Sequence, residues 1–114
     1  MPYINVGVSS PIPQETEKRM KERLGKAITI IPGKSEQYLM AEFRDNCKLY
    51  MAGTNISPSA YVSVNLFGHA PKTAYQALTV EICNILQEEL NINPTRIYIQ
   101  YGETDHWGWN NGNF

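Results

Sequence analysis

The proline at position 2 carries the first group in the chain that could do chemistry. Pro2 directly follows Met1, and an initiator methionine is usually removed when the next residue is small. Removal leaves a secondary amine. Burial or a nearby cation lowers the pKa of such an amine toward neutral pH, where a general base works best. Pro2 is therefore a candidate catalytic base, and the alternative is that it only precedes a strand.

Three further side chains could bind a small ligand. Lys34 follows the turn Pro32-Gly33 and could pair with a carboxylate, or it could be an ordinary surface lysine. Tyr98 and Gln100 stand two residues apart in an alternating segment, so they share one face of a strand. This polar pair could hydrogen-bond a ligand or simply meet solvent.

Aromatic residues cluster near the C-terminus. Trp107, Trp109 and Phe114 lie close together in sequence, and such a cluster commonly packs a tail onto the core. The dipeptide Asn111-Gly112 is a tight-turn signal, so we expect a hairpin within residues 107–114.

The sequence carries no signature of a metal or cofactor site. His69 and His106 have no partner at metal-ligand spacing, and we interpret both as incidental. Cys47 and Cys83 form no CxxC pair, and Cys83 lies in an apolar helical pattern typical of a small core residue. A Ser/His/Asp signature, a P-loop and GxGxxG are also absent. We therefore expect no metal and no organic cofactor.

Length and charge exclude several classes of function. The chain has 114 residues, enough for one domain, with 10 basic and 11 acidic residues and a net charge of -1. No basic cluster favours nucleic acid or an anionic membrane, and no apolar stretch approaches a membrane span. The N-terminus lacks the pattern of a signal peptide, and two free thiols suit a reducing compartment, so we expect a cytoplasmic protein.

Hydrophobic periodicity predicts the elements that must position these residues. Four strands are predicted at residues 3–8, 38–43, 60–67 and 97–101. One helix is predicted from about Gln14 to Ile31, ended by Pro32-Gly33, and a second follows Pro71 and ends before Pro94.

The predicted elements repeat as two β-α-β units, at roughly residues 2–46 and 58–102 of a single domain spanning 1–114. Each unit requires a right-handed crossover between parallel strands. We therefore predict an α/β (α+β) fold in which a four-stranded mixed sheet carries both helices on one face. Nothing remains in the chain to cover the other face, which favours an oligomer.

Four segments in order resemble the macrophage migration inhibitory factor (MIF) branch of the tautomerase superfamily. The first is the N-terminal Pro2. The others are Pro32-Gly33-Lys34-Ser35-Glu36-Gln37-Tyr38, similar to Thr-Gly-Lys-Pro-Pro-Gln-Tyr; Asn93-Pro94-Thr95-Arg96-Ile97-Tyr98-Ile99-Gln100-Tyr101, similar to Ser-Pro-Asp-Arg-Val-Tyr-Ile-Asn-Tyr; and Gly108-Trp109-Asn110-Asn111-Gly112-Asn113-Phe114, similar to Gly-Trp-Asn-Asn-Ser-Thr-Phe. The similarity runs over nearly the whole chain.

This resemblance implies a homotrimer with sites between neighbouring subunits. Pro2 then corresponds to the catalytic base and Lys34 to the lysine that holds the substrate carboxylate. Phe67 corresponds to an isoleucine whose backbone N–H contacts the substrate. Tyr98 corresponds to a pocket tyrosine from the adjacent subunit, and Gln100 replaces an asparagine.

The resemblance also implies the rim of the site and one departure. Residues implied at the rim are Tyr3, Tyr38, Trp109 and Phe114, with Trp107 replacing a small aliphatic residue and narrowing the entrance. The segment Pro58-Ser59-Ala60-Tyr61-Val62 stands where MIF has Pro-Cys-Ala-Leu-Cys. Both thiols of that CxxC are missing, so the thiol-oxidoreductase activity proposed for the family should not transfer.

The implied function is keto–enol tautomerisation of α-keto acids such as phenylpyruvate, without a cofactor. The alternative is a MIF-like cytokine or binding protein with vestigial activity, a protein receptor as partner and secretion by a non-classical route. A third alternative, decarboxylation or hydration of a small acid, usually requires extra arginines in the pocket. Outside the first helix the chain has only Arg44 and Arg96, which weakens that alternative.

Overall fold

Strands and helices alternate along the chain in the predicted order. The computed structural model describes all 114 residues, Met1 to Phe114. The elements are β1 (Pro2–Val8), α1 (Gln14–Ala27), β2 (Met40–Arg44), β3 (Ala60–Phe67), α2 (Lys72–Leu90), β4 (Ile97–Thr104), β5 (Gly108–Trp109) and β6 (Gly112–Asn113), with short 3₁₀ turns at Ile28–Ile30, Glu36–Tyr38 and Pro94–Arg96. The four main strands and both helices were therefore predicted from periodicity.

The four long strands form one mixed sheet in the order β2-β1-β3-β4. β1 runs parallel to β2, and β3 runs parallel to β4. The two β-α-β units meet through the antiparallel pair β1 and β3, which places Pro2 opposite Leu66 and Val8 opposite Ala60. The predicted α+β class, a mixed four-stranded sheet with two helices, is confirmed.

Alternation along the central strands sends one set of side chains to the helices. The buried members are Ile4, Val6 and Val8 on β1 and Ala60, Val62, Val64 and Leu66 on β3. They form one core with Leu24 of α1 and Ile82 of α2. Burying a large aliphatic side chain contributes about 1.5–3 kcal/mol, so this core holds the helices on one sheet face.

The opposite set of side chains forms what we call the open sheet face. By alternation it carries Tyr3, Asn5, Tyr61, Ser63, Asn65, Tyr98 and Gln100. Two side-chain hydrogen bonds cross it: the Tyr3 hydroxyl donates to the Glu42 carboxylate, and the Tyr61 hydroxyl donates to Oε1 of Gln100. The open sheet face is thus largely polar, and its coverage by an oligomer stays a prediction.

Several boundaries differ from those predicted, and β4 continues to Thr104 rather than ending at Tyr101. β2 begins at Met40 rather than Tyr38, because Glu36–Tyr38 forms a 3₁₀ turn. α1 ends at Ala27, and a 3₁₀ turn continues it to Ile30. The C-terminal hairpin turns at Asn110-Asn111 rather than at Asn111-Gly112, since both asparagines have positive φ (53° and 66°), as a type I′ turn requires. No helix is long and apolar enough to cross a membrane.

Candidate active site

A cleft opens where the start of β1 meets the 3₁₀ turn before β2 and the tail after β4. Its volume is about 330 Å³. It is lined by Met1, Pro2, Tyr3, Gln37, Tyr38, Leu39, Met40, Trp107, Gly108 and Trp109. The structure therefore brings together five of the predicted site residues: Pro2, Tyr3, Tyr38, Trp107 and Trp109.

Lys34 lies beside the start of the chain. Its Nζ donates a hydrogen bond of 2.9 Å to the carbonyl oxygen of Phe67, and the Phe67 N–H donates to the Met1 carbonyl at 3.2 Å. The turn that delivers Lys34 depends on Gly33, whose φ of 79° favours glycine, and it is closed by the Lys34 N–H donating to the Ile31 carbonyl at 3.1 Å. The ammonium group thus lies at the end of β3, next to the beginning of β1.

The environment at the start of the chain favours a neutral amine. Burial lowers the pKa of the Met1 amino group below its ordinary value of 8.0, and the positive charge of Lys34 and its hydrogen bond lower it further. Both causes act against the protonated form of an amine. Pro2, the next residue, is itself buried.

Contacts between aromatic rings connect the C-terminal tail to the 3₁₀ turn before β2 and to the end of β3. Trp109 meets Tyr38 edge-on, with ring centroids 6.2 Å apart, and its ring lies 6.4 Å from that of Phe114. Phe114 in turn packs 5.3 Å from Phe67. The Phe114 N–H also donates to the Trp107 carbonyl at 2.9 Å, so the tail is fastened along its length. Phe67 and Phe114 therefore join the lining residues into one region.

Tyr98 and Gln100 lie elsewhere on the same chain. Pro2 is opposite Leu66, which is opposite Glu103, and Tyr98 comes five residues before Glu103 on β4. At about 3.3 Å per residue this separates Tyr98 from the cleft by roughly 17 Å along the strand. A single chain does not bring these two residues to Pro2, and a site that uses them requires a second chain.

The comparison with known proteins decides the family. The family model for macrophage migration inhibitory factor (MIF) matches residues 1–113. The chain belongs to the MIF family. MIF of Mus musculus is 26% identical over 119 residues, covering 100% of this chain and 99% of the mouse protein.

Solved structures of MIF proteins share the fold. The crystal structure of Leishmania major MIF2 has a TM-score of 0.92 at 29% identity, covering 100% of this chain and 97% of that one. The MIF homologue from Prochlorococcus marinus has a TM-score of 0.77 at 27% identity, covering 98% of each chain. The resemblance that four short segments indicated is confirmed over the whole MIF domain.

The two arginines of this MIF-family chain that lie outside α1 are paired with other groups and do not line the cleft. Nε of Arg44 pairs with Glu42 at 3.0 Å. Arg96 donates to Oγ of Ser59 at 2.9 Å and to the Thr54 carbonyl at 2.8 Å. Lys34, by contrast, acts on the amino group at the start of the chain.

One polar cluster of the MIF domain was missed by reasoning from sequence. Nδ1 of His69 lies 2.9 Å from Glu103, Nε2 lies 3.3 Å from Asp105, and the Tyr75 hydroxyl donates to Glu103 at 2.5 Å. The sequence did not predict these contacts of His69. His69 and Glu103 are 34 residues apart, and no local pattern signals their contact.

Electrostatics in this His69 cluster follow from these contacts. The hydrogen bond from Tyr75, the contact with His69 and the Ala70 N–H lower the pKa of Glu103 to about 2. Burial, followed by the hydrogen bond to Glu103, raises the pKa of Tyr75 to about 12. The cluster does not converge on a point, and no group of three or more His, Cys, Asp or Glu side chains in the chain is placed to hold a metal ion.

Proposed function

We propose that this chain is a keto–enol tautomerase that acts on α-keto acids such as phenylpyruvate, with the amine of Pro2 as general base. The observation that carries the proposal is that Pro2 lines the cleft while Lys34 lies next to the start of the chain, where burial and the Lys34 charge disfavour an ammonium ion. A neutral amine beside a fixed cation is what proton abstraction from a carboxylate-bearing substrate needs.

Each element of the cleft has a part in the reaction. Lys34 binds the substrate carboxylate, and the rings of Tyr38 and Trp109 hold its apolar end. Neutral Pro2 takes a proton from one site of the tautomeric pair and returns it at the other. Positioned acid–base chemistry of this kind supplies about 10²–10⁴-fold in rate and requires no cofactor.

Removal of Met1 would prepare the site in two ways. It converts the Pro2 nitrogen from an amide into a free amine. It also releases the Phe67 N–H, whose partner at 3.2 Å is the Met1 carbonyl. A free backbone N–H at this place can donate to the substrate, which supports the substrate contact that the resemblance implies for Phe67.

The proposed assembly is a homotrimer in which each cleft receives Tyr98 and Gln100 from a neighbouring chain. The separation of roughly 17 Å along the sheet supports this, because one chain alone leaves both residues unused. The Gln100 amide and the Tyr98 hydroxyl then stabilise the charge that develops on the enolate oxygen.

The test begins with the intact mass of the mature protein, which should lack Met1. Pro2→Gly should abolish phenylpyruvate tautomerase activity while native mass spectrometry still shows the trimer. An alanine inserted before Pro2 should do the same, because it returns the proline nitrogen to an amide. Pro11→Gly, at an exposed position outside the cleft, is the matched control and should keep full activity.

Two outcomes would redirect the assignment. Full activity in Pro2→Gly rules out the proline as base. A wild-type protein with Met1 removed, a trimeric mass and no tautomerase activity favours the alternative of a MIF-like binding protein, which receptor binding by Pro2→Gly would then support.

A further inference from the structure

The loop between β3 and α2 is joined to the end of β4 at the His69 cluster. Gly68, with φ of 88°, turns the chain out of β3, and its N–H donates to the Thr104 carbonyl at 2.8 Å. His69 then lies between the carboxylates of Glu103 and Asp105. The imidazole thus contacts two acidic groups on the segment that leads directly into the tail.

The partner carboxylate of His69 is itself fixed. Glu103 accepts from the Ala70 N–H at 3.2 Å and from the Tyr75 hydroxyl at 2.5 Å. The Tyr75 ring stacks on Tyr101 of β4 with centroids 4.5 Å apart. Because Glu103 is held from α2, the contact with His69 ties the loop to a rigid position rather than to a free side chain.

The segment that carries Glu103 and Asp105 leads directly to the aromatic residues of the cleft. Trp107 follows Asp105 by two residues, and Trp107 and Trp109 both line the cleft. On the other side of the loop, Phe67 packs against Phe114 and its carbonyl accepts from Lys34. The His69 cluster therefore lies at the base of the tail, between two residues that touch the site.

We propose that His69 is a positioning residue for the cleft: its imidazolium holds the base of the C-terminal tail, residues 105–109, against the β3–α2 loop, and its deprotonation loosens the aromatic wall of the site. The reason is the number of N–H groups that the imidazole ring can donate. A protonated imidazole donates from both nitrogens and can serve Glu103 and Asp105 together, whereas a neutral imidazole donates from only one. Losing the proton therefore releases one of the two carboxylates.

The direction of the pH effect follows from the charges around the ring. Glu103 from β4, first through its hydrogen bond and then its charge, and Asp105 raise the pKa of His69 above its ordinary value of 6.5. The contact is complete below that ordinary value and is lost as the pH rises through the raised pKa. Tyr75 of α2 faces Glu103 rather than the ring, and Lys72, the first residue of α2, forms no ion pair.

Tryptophan fluorescence tests this directly, because the only two tryptophans of the chain, Trp107 and Trp109, belong to the tail. We expect the emission of the wild-type protein, titrated from about pH 5 to about pH 9, to change with a midpoint above the ordinary histidine pKa. In His69→Gln this change should fall to what the amine at the start of the chain causes by itself, since glutamine donates hydrogen bonds but does not titrate. Asp105→Asn should lower the midpoint.

The other histidine supplies the matched control. His106 precedes Trp107 and could affect its emission, so His106→Gln should keep the transition at its wild-type midpoint. A transition of unchanged amplitude in His69→Gln, or one that is lost in His106→Gln, would overturn the proposal. So would a wild-type protein whose emission does not change in this range.

The consequence for substrate rests on the proposed tautomerase function. Across the transition, KM for phenylpyruvate should rise by about two- to fivefold, the range expected for an exposed ionic contact, with kcat little changed. In His69→Gln this step in KM should be absent, and its persistence would contradict the positioning role. Fluorescence needs no turnover, so a protein without activity but with the titration refutes only the proposed function.

Discussion

Nζ of Lys34 donates a hydrogen bond of 2.9 Å to the carbonyl oxygen of Phe67, the last residue of β3. An ammonium group has three N–H donors, so Lys34 can bind this carbonyl, act on the start of the chain and still donate to a carboxylate. The Phe67 N–H meanwhile lies 3.2 Å from the Met1 carbonyl. The peptide groups on either side of Phe67 therefore connect the cation of the cleft with the start of the chain.

Replacing Lys34 by methionine should weaken substrate binding and shift the pH profile together. Loss of a charge-assisted hydrogen bond raises KM for phenylpyruvate by about tenfold or more. Because Lys34 lowers the pKa of the amine at the start of the chain, its removal raises that pKa. The rise of activity with pH should then move to higher pH. Steady-state kinetics across a pH series measures both effects.

Lys26→Met, an exposed position at the end of α1, is the matched control and should change neither quantity. An unchanged pH profile in Lys34→Met would show that the lysine does not act on the base.

How much of the structure the sequence predicts depends on how far apart in sequence the interacting residues are. The alternation of Ile4, Val6 and Val8 with other residues predicted β1, because successive side chains of a strand point to opposite faces of the sheet. The start of β2 was misplaced because Tyr38 fits an alternating pattern, whereas its backbone closes a 3₁₀ turn with Glu36. Local backbone hydrogen bonding determines the conformation there, and the pattern of polar and apolar residues does not reveal this bonding.

The roles of the residues of the candidate site could be predicted only from motifs that the chain shares, in the same order, with the MIF family. Pro2 and Lys34 were candidates on chemical grounds, each with an ordinary structural alternative, and only the resemblance of whole segments gave them roles. The contact between His69 and Glu103 had no such signal, because it joins distant segments through side chains. The separation of Tyr98 from Pro2 became visible only with the strand register.

Phe114→Ala should loosen the aromatic side of the cleft. The variant loses the ring contacts with Phe67 and Trp109. An aromatic pair contributes about 0.5–1.5 kcal/mol, so KM should rise by about two- to tenfold while kcat changes little. Steady-state kinetics measures this, and tryptophan emission should shift toward that of exposed indole. Ile56→Ala, at a side chain 92% exposed, is the control, and an unchanged KM in Phe114→Ala would contradict the role of the tail.

Tyr61→Phe should lower kcat through Gln100. The Tyr61 hydroxyl donates to Oε1 of Gln100, which leaves both amide N–H groups directed elsewhere. Without this hydrogen bond the amide rotates freely, and kcat should fall by about two- to tenfold with little change in KM. Tyr50→Phe is the control, because that hydroxyl is exposed and makes no side-chain hydrogen bond. Equal kcat values in the two variants would show that the Tyr61 hydroxyl does not position Gln100 for the reaction.

Glu103→Gln should reduce stability in a pH-dependent way. The pKa of Glu103 is held at about 2, below its ordinary value of 4.5, so its ionised form stabilises the fold above pH 4.5. That contribution is lost as the pH falls from 4.5 toward 2. The difference in free energy of unfolding between wild type and variant, measured by urea denaturation, should therefore shrink over this window.

Glu22→Gln, an exposed position on α1, is the control and should follow the wild type at every pH. A difference for Glu103→Gln that stays constant with pH would mean that the carboxylate charge contributes nothing.

For the proposed tautomerase, the strand register that separates Pro2 from Tyr98 makes activity depend on protein concentration. If each centre is completed by a neighbour, dilution below the dissociation constant of the assembly disables every centre at once, although each chain stays folded. Turnover per chain then falls with dilution, and substrate, by bridging two subunits, opposes that fall. Activity per chain would then depend on how much of this protein is present.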